Sequence, residues 1–201
     1  MASILETLMQ QVTGGGALEQ ISANLGTDRQ TAGTAVAAAL PALLGALSKN
    51  AATPQGAQSL NAALQRDHDG SLLNNLAGFL GSGQTAPGQG ILNHVLGARQ
   101  PVVEKGIGHS TGLDPAATGK LLAMLAPVVM GALGQAQRQQ KMDANGLATM
   151  LGQERETMAR HAPQQMGALN ALLDADGDGD VDLQDVAKKG LGLLGGLFGQ
   201  R

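Results

Sequence analysis

The sequence predicts an all-α protein: a duplicated helical bundle with two kinked central helices, followed by a C-terminal helix-loop-helix around an acidic loop. Three observations carry this. The 201 residues include two phenylalanines and no tryptophan, tyrosine or cysteine, so Ala, Leu, Met and Gln dominate and strand-favouring side chains are sparse. Residues 33–48 form a nearly uninterrupted apolar run, GTAVAAALPALLGALS. Residues 119–134, GKLLAMLAPVVMGALG, repeat its plan 86 positions later. Asp28 pairs with Asp114, Gly33 with Gly119, Pro41 with Pro127, and Gly45, Ala46 and Leu47 with Gly131, Ala132 and Leu133. Constant spacing with a matched internal proline reads as an internal duplication.

A core of small side chains buries little area per contact. At roughly 25 cal/mol per Å² of apolar surface, such a core needs many close contacts to match one built from aromatic residues.

Taken in order, Ser3 with Glu6 three positions later has capping-box spacing, and Ile4, Leu5, Leu8, Met9 and Val12 share one helical face. Residues 13–16 end that helix. A second short helix over 17–24 closes at Gly26. Asp28 caps the first long helix, in which Pro41 removes a backbone donor and crowds the preceding turn, predicting a kink. Thr53 and Pro54 open a helix reaching about Gln65, and Ser71 opens another through residues 72–80. Residues 81–90, GSGQTAPGQG, have linker composition. Beyond them the sequence predicts helices over 91–96 and 101–110, then Asp114 and the second long helix, then a helix over 144–152 capped by Asp143. Residues 1–83 and 84–160 are therefore expected to be two helical repeats packed as one bundle, with residues 161–201 carrying the acidic loop and a Gly/Leu-rich tail.

Composition narrows the function classes. Net charge is −3 with 14% charged residues, unlike a nucleic-acid surface, where Lys and Arg cluster. Residues 18–36 have the rhythm of a helix-turn-helix unit. Yet no Lys or Arg occurs from Thr31 to Ser48, and a helix that reads bases needs polar and cationic side chains. A buried bundle centre fits better, and DNA binding ranks last among the readings. Absent cysteines exclude disulfides and thiolate chemistry. The start, MASILETLMQQV, lacks the basic region of a signal peptide. The two apolar runs, about 14 to 16 residues each, fall short of the ~20 that span a bilayer. The expectation is a cytoplasmic protein that is not transmembrane. His68, His94, His109 and His161 show no metal-ligand spacing, and Asp67, His68 and Asp69 read as a solvated turn before Gly70. With no nucleophile elbow, P-loop or dinucleotide fingerprint, no catalytic residue is assigned and a non-enzymatic protein is expected.

Three segments, LGTDRQTAGTAVAAALPALLGAL, GILNHVLG and TGLDPAATGKLLAMLAPVVMGAL, resemble the bacterial YidB-like family, domain of unknown function 937, over most of residues 1–152. The resemblance implies a small all-helical bacterial protein. It implies no reaction.

One segment carries legible chemistry. Residues 174–185, DADGDGDVDLQD, follow the twelve-residue EF-hand-like calcium loop. Asp174, Asp176 and Asp178 fall at positions 1, 3 and 5, and Gly179 takes position 6, where the chain turns sharply. Asp180 offers its backbone carbonyl at position 7, Asp182 stands at 9, and Asp185 takes position 12 in place of the common glutamate. Alternate carboxylates on a curled loop converge on a hard cation, and without one they repel. Calcium is the expected ion, with magnesium its competitor. The pattern resembles half of a dockerin. Dockerins carry two such segments and this chain has one, so a cohesin partner is not expected.

The tail over residues 186–198, VAKKGLGLLGGLF, is apolar but rich in glycine, which makes it a poor isolated helix. It reads either as a segment that docks on the bundle or as an adhesive tail for a protein partner, a membrane surface or a second copy. The function expected is a structural or interaction protein in which calcium braces the C-terminal helices. The runner-up is a calcium-dependent binding or sensing protein that exposes the tail. Titration calorimetry should show heat of binding at up to millimolar calcium, lost in Asp174→Ala. No heat, or equal heat in the variant, contradicts the metal site.

Overall fold

The computed structural model describes residues 3–161. The chain divides into two units, residues 1–157 and 158–201. Among the described residues every regular element is helical: α1 (Ile4–Thr13), α2 (Ala17–Leu25), α3 (Arg29–Ala51), α4 (Pro54–Asp67), α5 (Leu76–Gly81), α6 (Ala86–Val95), α7 (Gln100–Thr111), α8 (Pro115–Gln140) and α9 (Ala144–His161). Two 3₁₀ turns, Ser71–Asn75 and Gly97–Arg99, complete the path.

Local chemistry accounts for most boundaries. Ser3 Oγ accepts the Glu6 N–H at 3.2 Å and starts α1. Asp28 Oδ1 accepts the Thr31 N–H at 2.9 Å to start α3, and Asp114 Oδ1 accepts the Ala117 N–H at 2.9 Å to start α8. Their backbones agree closely, φ −74°, ψ 161° for Asp28 and φ −70°, ψ 160° for Asp114. Two positions before each aspartate a glycine closes the preceding helix in the left-handed region, Gly26 at φ 66° and Gly112 at φ 79°. Thr53 Oγ1 accepts the Gly56 N–H at 3.1 Å to start α4, with Pro54 in its first turn.

The centre of the bundle is α8. It is buried at every position from Leu121 to Gly134 and packs against α1, α2, α3, α4, α6, α7 and the Ser71–Asn75 turn. Its 26 residues and the 23 of α3 exceed the apolar runs in the sequence, because each helix continues through its internal proline and into flanking polar residues. By length and composition alone either could cross a bilayer. Of the most apolar stretch of each, 78% lies buried in the bundle for α8 and 56% for α3.

Residues 81–90 differ from their reading as a linker. α5 runs to Gly81 and α6 begins at Ala86, so four residues connect them. Pro87 sits in the first turn of α6, where its missing N–H is not needed. Gly88 is buried against α8: a Cβ built there would lie 1.7 Å from the Ala123 carbonyl oxygen. A glycine that reads as flexibility is a contact that lets two helix backbones meet. The segment after Ser71 also differs, beginning as a 3₁₀ turn before Asn75 Oδ1 accepts the Gly78 N–H at 3.2 Å and starts α5. The helix after Asp143, expected to end near residue 152, continues to His161.

Gly88→Val should destabilise the protein by about 1–3 kcal/mol or more in urea unfolding, because the new side chain meets backbone. Gly90→Ala, two residues away with nothing within 4 Å of a built Cβ, should be neutral or stabilising by up to ~1 kcal/mol through helix propensity. Equal losses for both would contradict a specific contact at Gly88.

Candidate functional site

Two long-range side chains hold the ends of α4 and α6. The Arg138 guanidinium of α8 donates to the carbonyls of Leu64 at 3.2 Å, Gln65 at 3.3 Å and His68 at 3.0 Å, satisfying the C-terminal end of α4. Asn50 Nδ2, near the end of α3, donates to the Val95 carbonyl at 2.9 Å and does the same for α6. Both helices are thereby seated on α3 and α8, leaving an open groove of about 830 Å³ lined by residues of all four.

The groove is apolar at depth and polar at its rim. Leu47 and Met130 reach it from the central helices and are almost fully buried, at 2% and 3% exposure. Leu60 from α4 and Ile91 and Val95 from α6 add to the apolar lining. Arg66, Asp67, His68 and His94 supply charge or titratable nitrogen. Arg66 and Asp67 are engaged with each other, Nε to Oδ2 at 2.8 Å and Nη2 to Oδ2 at 2.7 Å. That bond holds the Asp67 carboxyl below its ordinary range. Asp69 Oδ1 accepts the Ser71 N–H at 2.8 Å, and Ser71, through its hydroxyl first and this N–H second, holds the Asp69 carboxyl below its ordinary range. The Asp67, His68, Asp69 turn thus spends its carboxylates on Arg66 and Ser71. His68 is half-buried, and the loss of water around its ring pushes its pKa below 6.5, with the Asp67 charge opposing.

Such a groove can bury a row of apolar side chains and orient it with a few polar groups. The sequence points to none of its members as a set. The spacing of Ile91 and Val95 on α6 is legible as a helical face, but residues 81–90 read as linker, and Asn50 and Met130 carry no local signal. Of the histidines, the structure brings His68 and His94 to this groove, while His109 lies in the last turn of α7 and is not among its lining residues. The six aspartates proposed as metal ligands, Asp174, Asp176, Asp178, Asp180, Asp182 and Asp185, lie outside the described residues, as does the apolar tail. Among the described residues no group of three or more His, Asp or Glu is arranged to hold a metal ion.

The depressed pKa of His68 has a sign. The unfolded ring binds a proton more readily than the folded one, so the contribution to stability is complete above about 6.5 and declines as pH falls below it. His68→Gln should flatten the stability profile there, removing a slope of less than one proton because the ring is half exposed. Urea unfolding between pH 5 and 7 reads this, and an unchanged slope contradicts it.

No curated protein and no solved structure matches the chain. Residues 6–136, from the first turn of α1 to the last turns of α8, match the family described as bacterial protein of unknown function (DUF937). That span is about two thirds of the chain. The chain belongs to the DUF937 family of bacterial proteins.

Proposed function

We propose that the protein is a non-enzymatic helical interaction module whose bundle associates with a second copy of the chain, and whose acidic C-terminal loop binds calcium as a brace. The observation that carries the first half is the groove between α4 and α6, whose apolar depth lies open over the buried central helix α8. Thin surface charge favours association, since 14% charged residues set up little repulsion between copies. The reading of an internal duplication is supported by the equivalent caps: the left-handed glycines Gly26 and Gly112, the capping aspartates Asp28 and Asp114, and the internal prolines Pro41 and Pro127 all stand 86 residues apart.

The second half rests on the sequence spacing of the six aspartates. In the cytoplasm, the expected compartment, free calcium is scarce, and magnesium competes for the same oxygens. Asp185 at position 12 is one methylene shorter than glutamate and reaches bidentate contact less readily, which suits a weak structural site more than a sensor.

Light scattering and thermal melting, each with and without calcium, test both halves. Wild-type protein should exceed the mass of one chain, and Ile91→Glu, which places a charge in the groove, should reduce it to one. Calcium should raise the melting temperature and leave the mass unchanged. A wild-type monomer, or a mass unmoved by Ile91→Glu, contradicts association through the groove. A calcium-dependent mass favours the runner-up, in which the ion exposes the tail.

A further inference from the structure

The two ends of α1 are built differently. At its N-terminus stands Glu154 of α9, a carboxylate only 8% exposed. It accepts the Ser3 hydroxyl at 2.6 Å, the Leu5 N–H at 3.0 Å and the Ile4 N–H at 3.4 Å. These donors belong to the first turn of α1, where unpaired amides and the helix dipole favour a negative charge. Glu154 shares one face of α9 with Leu147 and Leu151, which are fully buried. The carboxylate is thus fixed in an otherwise apolar row and aimed at a helix some 150 residues away in sequence.

At the other end α1 leaves through Gly14, Gly15 and Gly16. Gly15 and Gly16 have φ of 58° and 81°, and a side chain built at either would meet nothing within 4 Å. Gly14 still closes α1, its N–H donating to the Gln10 carbonyl at 3.0 Å, so the conformational freedom that glycine allows lies at Gly15 and Gly16. A cavity of about 410 Å³ adjoins it, bordered by Gln11, Gly14, Gly15 and Asn74. Gln11 Oε1 is buried there without a hydrogen-bond partner, a cost carried only while α1 is in place. Along its length α1 fully buries Leu8 and Val12, whereas α8 buries fourteen consecutive positions.

We propose that α1 is a releasable strap: it swings out about Gly15 and Gly16 while α2 to α8 stay folded, and Glu154 is the latch that holds it closed. Opening uncovers the faces of α2, α3 and α8 against which α1 lies. Segments with few buried contacts and a permissive hinge open at lower cost than the core they cover.

Hydrogen–deuterium exchange on the full chain, read by mass spectrometry, tests this. Amides of residues 4–13 should exchange through an opening separate from, and more frequent than, the one exposing residues 121–134. Glu154→Ala should raise that opening roughly 10- to 100-fold, the loss expected for a buried charged hydrogen-bond set, and leave residues 121–134 unchanged. Ser3→Ala removes one donor to the same carboxylate together with the cap on the Glu6 N–H and should raise it in the same direction, by less than Glu154→Ala. Exchange of α1 and α8 together in one opening overturns the proposal, as does a separate α1 opening that neither substitution moves. If Glu154→Ala does not fold, wild type and Ser3→Ala decide: joint exchange of both helices shows α1 to be integral to the core.

Discussion

Close approach of helix backbones to α8 is the constraint on which the bundle depends. With two phenylalanines and no larger aromatic side chain, the interior cannot be filled by a few bulky residues, so helices must pack at short range. The contacts show how short. A Cβ at Gly88 would fall 1.7 Å from the Ala123 carbonyl, and one at Gly134 would fall 1.8 Å from the His68 carbonyl. In each case one helix presents no side chain so that another's backbone can rest against it. Gly131 serves the same crossing, facing Leu72 and Gly70 of the turn that lies over α8.

Short range brings a second demand. Helix ends that press against a buried axis carry carbonyls that water cannot reach freely, and these need donors. The bundle answers with side chains from other helices. Arg138 serves α4, Asn50 serves α6, Lys120 Nζ donates to Asn24 O at 2.7 Å near the end of α2, and Asn24 Nδ2 donates to Leu80 O at 3.1 Å in α5. Cations near helix C-termini and the Glu154 carboxylate at an N-terminus also match the sign of the helix dipoles. Gln137 is buried in α8 and reaches Asn61 of α4, while its own Oε1 has no partner. Among the described residues, these long-range polar contacts join one helix to another.

The groove between α4 and α6 follows from the same arrangement. Both helices are anchored by their ends to α3 and α8, and the space between them stays open over Leu47 and Met130. The motif that tempts a catalytic reading, Asp67 with His68 and Asp69, is the C-terminal cap region of α4 at one part of that groove, with its carboxylates given to Arg66 and Ser71.

The sequence by itself determined the helices and most of their starts. Ser3, Asp28, Thr53, Asp114 and Asp143 each accept an N–H three residues ahead, an interaction complete within one turn and readable without a fold. Composition likewise determined the all-α class. Only the tertiary structure decided what the glycines mean. Gly88 in a linker-like stretch is helical because Ala123, 35 residues on, lies against it, whereas Gly15 and Gly16 form an open turn because nothing does. The partners of Glu154, Arg138 and Asn50 were equally unreadable. Each meets backbone groups between 45 and 150 residues distant, and no local pattern encodes which helix end will arrive there.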